Sequence, residues 1–206
     1  MRLLFRLFEI LLLVAAVAVA TVGVTFWLNQ GAVIDRAERG GVLHQTFSTA
    51  PLSLAERAVM IDQFSQTWET DGVPCRTASL VWADIVGNGA PATPVSQKLA
   101  TALMPGQSIT SVRWQLSRIV IACQLEQRLD DTQMLRAWLS TVNFGQHVIG
   151  IDNASQAVFG KPTDQLGAEE AAKLAALVRS PGLKDHPDLW AQRAQAIVVK
   201  MAGRAQ

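Results

Sequence analysis

From Ile10 to Leu28 the chain carries no charged residue. Leu11, Leu12, Leu13 and Val14 lead into an Ala/Val run, which ends in Val22, Val24, Phe26, Trp27 and Leu28. A helix rising about 1.5 Å per residue crosses a hydrocarbon core of about 30 Å in about 20 residues, so this stretch is long enough to span a bilayer. Arg2 and Arg6 precede it. Positive charge before a span keeps that end in the cytoplasm and sends the remainder across. Trp27 stands where an interfacial aromatic belongs. Ala18-Val19-Ala20 has the small-x-small pattern of a cleavage site. The apolar stretch continues well past it, however, and residues 1–28 are therefore read as an uncleaved, single-pass signal anchor. Either reading exports the rest of the chain.

Composition narrows the remaining choices. Of 206 residues, 50% are hydrophobic and 17% charged, where soluble domains carry about 25% charged residues. Disorder needs low hydrophobicity and high net charge, and nucleic-acid binding shows a basic excess. Here Lys+Arg is 18, Asp+Glu is 17 and the net charge is +1, so no nucleic-acid partner is expected. Cys75 and Cys123 admit two readings in an oxidising compartment, a disulfide or two separate buried thiols. There is no CxxC, and His44, His147 and His186 are widely spread, so no metal site is predicted from ligand spacing.

Residues 29–50, polar and containing Gly31, Gly40 and Gly41, read as a linker, and residues 51–206 as one domain. Ser53-Leu54-Ala55-Glu56 is a capping box that opens a helix through about Phe64. Residues 69–95 are punctuated by Gly72, Pro74, Gly87, Gly89, Pro91 and Pro94, with a helix only at Ala78 to Ile85. Leu116, Ile119, Val120, Cys123 and Leu129 form an apolar stripe on one helix, and Met134, Leu135, Trp138, Leu139 and Val142 form one on the next. Glu169 and Glu170 open a helix stopped by Ser180-Pro181-Gly182. Pro187 opens a last helix with Trp190, Ala194, Ile197, Val198 and Met201 on one face. No alternating strand pattern appears. The fold class is mainly α.

Five segments in order carry a resemblance: Gln124 to Leu129; Met134 to Gly145; Gly150-Ile151-Asp152-Asn153-Ala154-Ser155-Gln156-Ala157-Val158-Phe159-Gly160-Lys161-Pro162; Glu170 to Leu177; and Arg193 to Met201. Their order and spacing resemble the peptidoglycan glycosyltransferases, glycosyltransferase family 51, with its "LE" helix, "ILExYLN", "GIxxAAxxYFGK", "EAAxLA" and "RRxxVLxxM". Thr93-Pro94-Val95-Ser96-Gln97-Lys98-Leu99 resembles a weakened "STITQQL". The likeness covers about residues 60–201. It implies a lysozyme-like fold behind a membrane anchor, and a partner in lipid II, the glycan strand or other cell-wall synthesis proteins at the inner membrane.

The family's chemistry needs a carboxylate to take a proton from a sugar hydroxyl. It also needs cations or a divalent metal to hold the leaving pyrophosphate. The residues that would supply these depart from the pattern. In the register adopted for "EDxxFxxHxG", Phe64 stands at the Glu, Ser65 at the Asp, Trp68 at the Phe and Asp71 at the His. Asp62 and Glu69 are the local substitute acids. In "RKxxE", Arg118 stands at the Glu, Trp114 and Gln115 at the basic pair, and Arg113 lies beside them. Thr101 takes the place of the Lys after "QQL", Arg136 that of the Glu in "ILExYLN", and Ser140 that of its Asn. Candidate catalytic residues are thus Asp62 and Glu69. Candidate substrate-binding residues are Ser96, Gln97, Lys98, Arg113 and Arg118.

Glu126 is expected to anchor an ion pair in the helical core, Glu170 to support its helix N-terminus, and Lys161 to be solvated. The residues kept are those that build turns and packing, and those lost are the acid, the basic pair and the cleft polar groups. The resemblance with these losses implies a periplasmic homologue that binds or scaffolds. The alternative is an active, divergent transferase polymerising lipid II.

Overall fold

The computed structural model describes residues 2–43, 50–64, 75, 77, 93–104 and 111–204, with side chains from Ile10 onward. Eight α-helices are present among them: α1 (Arg2–Arg39), α2 (Leu54–Phe64), α3 (Val95–Ala102), α4 (Val112–Arg128), α5 (Asp131–Thr141), α6 (Ile151–Phe159), α7 (Ala168–Arg179) and α8 (Pro187–Gly203). Two 3-10 turns lie at Thr163–Gln165 and Pro181–Asp185. The described residues form no strand beyond one isolated antiparallel bridge, Asn143 to Ile149.

Helix α1 is long and apolar enough to cross a membrane. From Ile10 to Thr25 every side chain is exposed. An apolar helix that packs against nothing is stable only in an apolar medium, which marks the chain as membrane-anchored. The helix does not stop at Leu28, where the linker was expected to begin. It continues to Arg39 and ends in a Schellman turn, with Gly41 at φ 79° and the Val42 N–H donating to the Ala37 carbonyl at 3.1 Å. Of the glycines read as linker, Gly40 and Gly41 are therefore the helix stop, and Gly31 lies within the helix. Ile34, Ala37 and Leu43 bury into the domain core.

The contacts between α1 and α4 are polar at the rim. The Gln124 amide donates to the Trp27 carbonyl at 2.8 Å, and Arg128 pairs with Asp35 at 3.0 Å and Glu38 at 3.6 Å. Gly31 faces α4, where a Cβ would stand in ordinary contact, 3.6 Å from Gln124 Oε1.

Helix α7 is the centre of the domain. Ala171, Ala172, Leu174, Ala175, Ala176 and Leu177 are all buried, because alanines let α2 and α8 pack closely on it. On the other side α3 packs against both α4 and α5. The capping predictions hold. Ser53 and Glu56 exchange hydrogen bonds at 2.7 and 3.2 Å, and Asp130 with Gln133 forms a second capping box.

On α4 the apolar stripe is right in part: Cys123 and Leu129 are buried and Ile119 and Val120 half-buried. The buried side chains are Trp114, Ser117, Ile121, Ala122, Cys123, Gln124 and Leu125, while Leu116 is 50% exposed. Leu129 lies past the helix end as an extended cap. The second stripe is right: Met134, Leu135, Trp138 and Leu139 are buried. The helix expected at Ala78 to Ile85 lies outside the described residues.

Candidate functional site

The end of α2 meets α3, α5 and α8 around three ionic or aromatic groups. Phe64, the last residue of α2, has no exposed surface. Its ring meets Trp138 edge-to-face at 5.3 Å, a geometry that suits the aromatic quadrupole. Lys98 of α3 lies over both rings, at 5.4 Å from the Phe64 centroid and 5.0 Å from that of Trp138. Its ammonium also reaches the Gln63 side-chain oxygen at 3.4 Å. Burial, then the charge of Arg179, lower the Lys98 pKa, and the Asp62 charge opposes them.

Asp62, two residues before Phe64 on α2, lies in another environment. Its side chain is fully buried. Both oxygens accept from Arg193 of α8, at 2.8 and 2.9 Å. Lys200 adds a third contact at 3.2 Å, and the Gln63 amide donates at 2.8 Å. Both bonds come from one guanidinium nitrogen, Nη2, and these charge-assisted contacts tie α2 to α8.

A second carboxylate lies at the junction of α3 and α4. Glu126 accepts from the Thr77 hydroxyl at 2.7 Å, the Ser96 hydroxyl at 2.6 Å and the Thr77 N–H at 3.3 Å. The ion pair expected there is absent among the described residues, and neutral donors satisfy the acid instead. Cys75 and Cys123 form a disulfide with Cα atoms 5.0 Å apart. It staples the segment bearing Thr77 to the helix bearing Glu126. Of the two readings of these cysteines, the bridge is the one seen.

The remaining sequence candidates separate. Ser96 is buried in the Glu126 cluster, and Gln97 is buried with its carbonyl accepting from Thr101. Arg113 is exposed. Arg118 stacks on the Trp114 ring at 5.2 Å. Burial lowers its pKa, though a guanidinium remains charged. Among the described residues the Trp114 Nε1–H and Arg118 Nε–H are buried without a partner. Glu69 lies outside the described residues.

Three features escaped the sequence reading. Arg136, 9% exposed, donates to Glu56 at 3.0 Å and to the carbonyls of Ala50 and Pro51. Lys161 is paired with Glu170 at 2.6 Å rather than simply solvated. A cavity of about 660 Å³ opens beside Glu56 and Arg136, with Asp152, Gln156 and Asp164 on its far wall. The signal for the first was on the page, since an Arg at an otherwise apolar helix face needs an acid, and Glu56 opens the facing helix. Glu170 behaves as expected and caps its helix through the Gly167 N–H at 3.0 Å.

The transglycosylase family profile matches residues 68–202. The chain belongs to the transglycosylase family. Its mainly α architecture is the lysozyme-like fold of that family, behind an N-terminal apolar helix. The chain is 26% identical to the biosynthetic peptidoglycan transglycosylase of Nitrosomonas eutropha over 133 residues, 63% of this chain and 54% of that protein. It is 29% identical to penicillin-binding protein 1C of Escherichia coli over 138 residues, 66% of this chain and 18% of that one. With penicillin-binding protein 1A of Mycobacterium tuberculosis the identity is 40% over 67 residues, 32% of this chain and 8% of that one. The chain thus spans about half the length of the first and far less of the penicillin-binding proteins. The match begins at residue 68, so Asp62 and Phe64 precede it and Glu69 falls inside it.

The resemblance also implies a divalent cation at the pyrophosphate. No three of His, Cys, Asp or Glu converge among the described residues, so a cation there would be held by one or two carboxylates and the pyrophosphate itself.

Proposed function

We propose that this transglycosylase-family protein serves cell-wall biogenesis as a membrane-anchored module that binds lipid II or the glycan strand without polymerising it. One observation carries the reading. In the register adopted from the sequence, Phe64 takes the place of the family's base and packs against Trp138 and Lys98, and the acid two residues earlier, Asp62, has both oxygens held by Arg193. A general base must reach the proton it removes. Phenylalanine accepts none, and a carboxylate with no exposed surface cannot meet a sugar hydroxyl. Arg113, exposed, and Arg118, half-buried, offer a cationic edge to the pyrophosphate of an undecaprenyl-linked donor.

Orientation follows from the same reading. Arg2 and Arg6 place the N-terminus in the cytoplasm and the domain in the periplasm, and the Cys75–Cys123 bridge suits that oxidising compartment.

Purified full-length protein incubated with labelled lipid II, with and without divalent cations, tests the proposal. Lipid II is expected to co-migrate with the protein while no glycan strand forms. Polymer in that assay sinks it, and loss of that polymer on Glu69→Gln would instead establish the divergent transferase with Glu69 as its base.

A further inference from the structure

We propose that the first turns of α4 rest in the membrane interface, with Val112 and Leu116 against lipid and Arg113 at the headgroup phosphates. The inference rests on α1 spanning a bilayer, and goes beyond it.

The argument begins with register. Gln124 meets Trp27 and Gly31 of α1. Arg128, one turn later on α4, meets Asp35 and Glu38, two turns or more later on α1. The residue numbers rise together on both helices, so α4 runs in the same sense as α1. Its N-terminal end therefore points back toward the span. From Gln124 to Val112 the helix path is about 18 Å. Trp27 closes the apolar stretch and marks the level of the interface, so the start of α4 lies on the membrane side of that level. The span itself stays exposed from Ile10 to Thr25, so α4 splays from α1 and enters at an angle rather than packing along it.

The side chains there have the composition an interface requires. Val112 is 74% exposed and Leu116 50% exposed, one turn apart on one face. Arg113 is exposed beside them. An apolar face flanked by a guanidinium is the pattern of a helix lying at the headgroup boundary, where the cation meets lipid phosphate and the methyl groups leave water. This explains why Leu116, which looked like core in the sequence, is half exposed: it faces a solvent that is not water.

The test uses the full chain in nanodiscs of phosphatidylethanolamine and phosphatidylglycerol. Single cysteines are introduced as Val112→Cys or Leu116→Cys, at exposed positions that tolerate replacement. They are labelled with an environment-sensitive maleimide without reductant, because the two native cysteines are bridged and none is free. Spin-labelled lipid then quenches whatever lies at membrane depth. Val17→Cys on the span and Val199→Cys on α8, 62% exposed, are the reference positions.

Labels at 112 and 116 are expected to lose about half of their emission, as the label at 17 does, because an interfacial helix buries its face about 5–10 Å deep. The label at 199 is expected to keep its emission. If the label at 17 is quenched while those at 112 and 116 behave like 199, this inference falls and the anchor stands. If the label at 17 is also unquenched, both fall.

Discussion

Two carboxylates in this domain are satisfied in opposite ways. Asp62, at the end of α2, is fully buried and held by two cationic side chains from α8. Glu126, at the α3–α4 junction, is partly exposed and held by two hydroxyls and a backbone N–H. The first is an electrostatic rivet: remove the acid and the charge of Arg193 is left without its partner at a packed interface. The second is a neutral hydrogen-bond hub, which costs less to disturb and keeps the carboxylate closer to solvent. The difference teaches that an acid's presence near a cleft says little about chemistry, since its partners decide whether a proton can be exchanged there.

The comparison can be broken by substitution. Asp62→Ala is expected to cost the most, about 3–4 kcal/mol by urea unfolding, because it strands buried or half-buried cations. A loss below that of a surface pair would show that Arg193 and Lys200 simply turn to water. Replacing Cys75 and Cys123 together by Ser should cost about 2–4 kcal/mol and loosen the Thr77 contact, seen as faster amide exchange at Thr77. Protection unchanged at that amide would separate the staple from the hub. Glu126→Gln keeps two acceptor contacts and should cost only about 1 kcal/mol. A cost equal to that of Asp62→Ala would erase the distinction drawn above.

Glu170 gives the smallest effect and a defined sign. The Lys161 contact, then the Gly167 N–H, lower its pKa. A lowered acid pKa in the folded state adds stability above the ordinary glutamate value, and that stability is lost as pH falls through the folded value. Glu170→Gln should therefore lower the Tm slightly at pH 7 and not at all below the range where glutamate is protonated. A Tm difference that persists in acid would assign the effect to packing.

Much of the scaffold was legible in the sequence because its signals are local. Ser53 with Glu56 announced α2, Glu170 announced α7, and Ser180-Pro181-Gly182 ended it. The failures share a cause. Asp62 finds Arg193 across most of the chain's length, and Arg136 finds Glu56 from another helix, so neither pair leaves a periodic trace. On α4 the stripe was drawn through Leu116 because it is apolar, while the core took Trp114 and Ser117 on the adjacent face. Helix α1 was ended at Leu28 because polar residues follow, yet those residues, Asp35 and Glu38, are what Arg128 needs. For the site, the sequence offered Asp62 and Glu69 as substitute acids, but the burial of Asp62 and of Phe64 required the packing of α5 and α8.

The uninterrupted α1 has a mechanical consequence. A helix of 38 residues, about 57 Å at its ordinary rise, that is anchored in the domain by Ile34, Ala37 and the Arg128 pairs behaves as a stiff shaft rather than a tether. Any tilt or rotation of the span within the bilayer is delivered to the domain undiminished. One residue inserted just before Gly31 would swing the whole domain by about 100° about the shaft, where a flexible tether would absorb it without change. The azimuth of the domain relative to the faces of the span is thus set by the helical phase between Leu28 and Asp35.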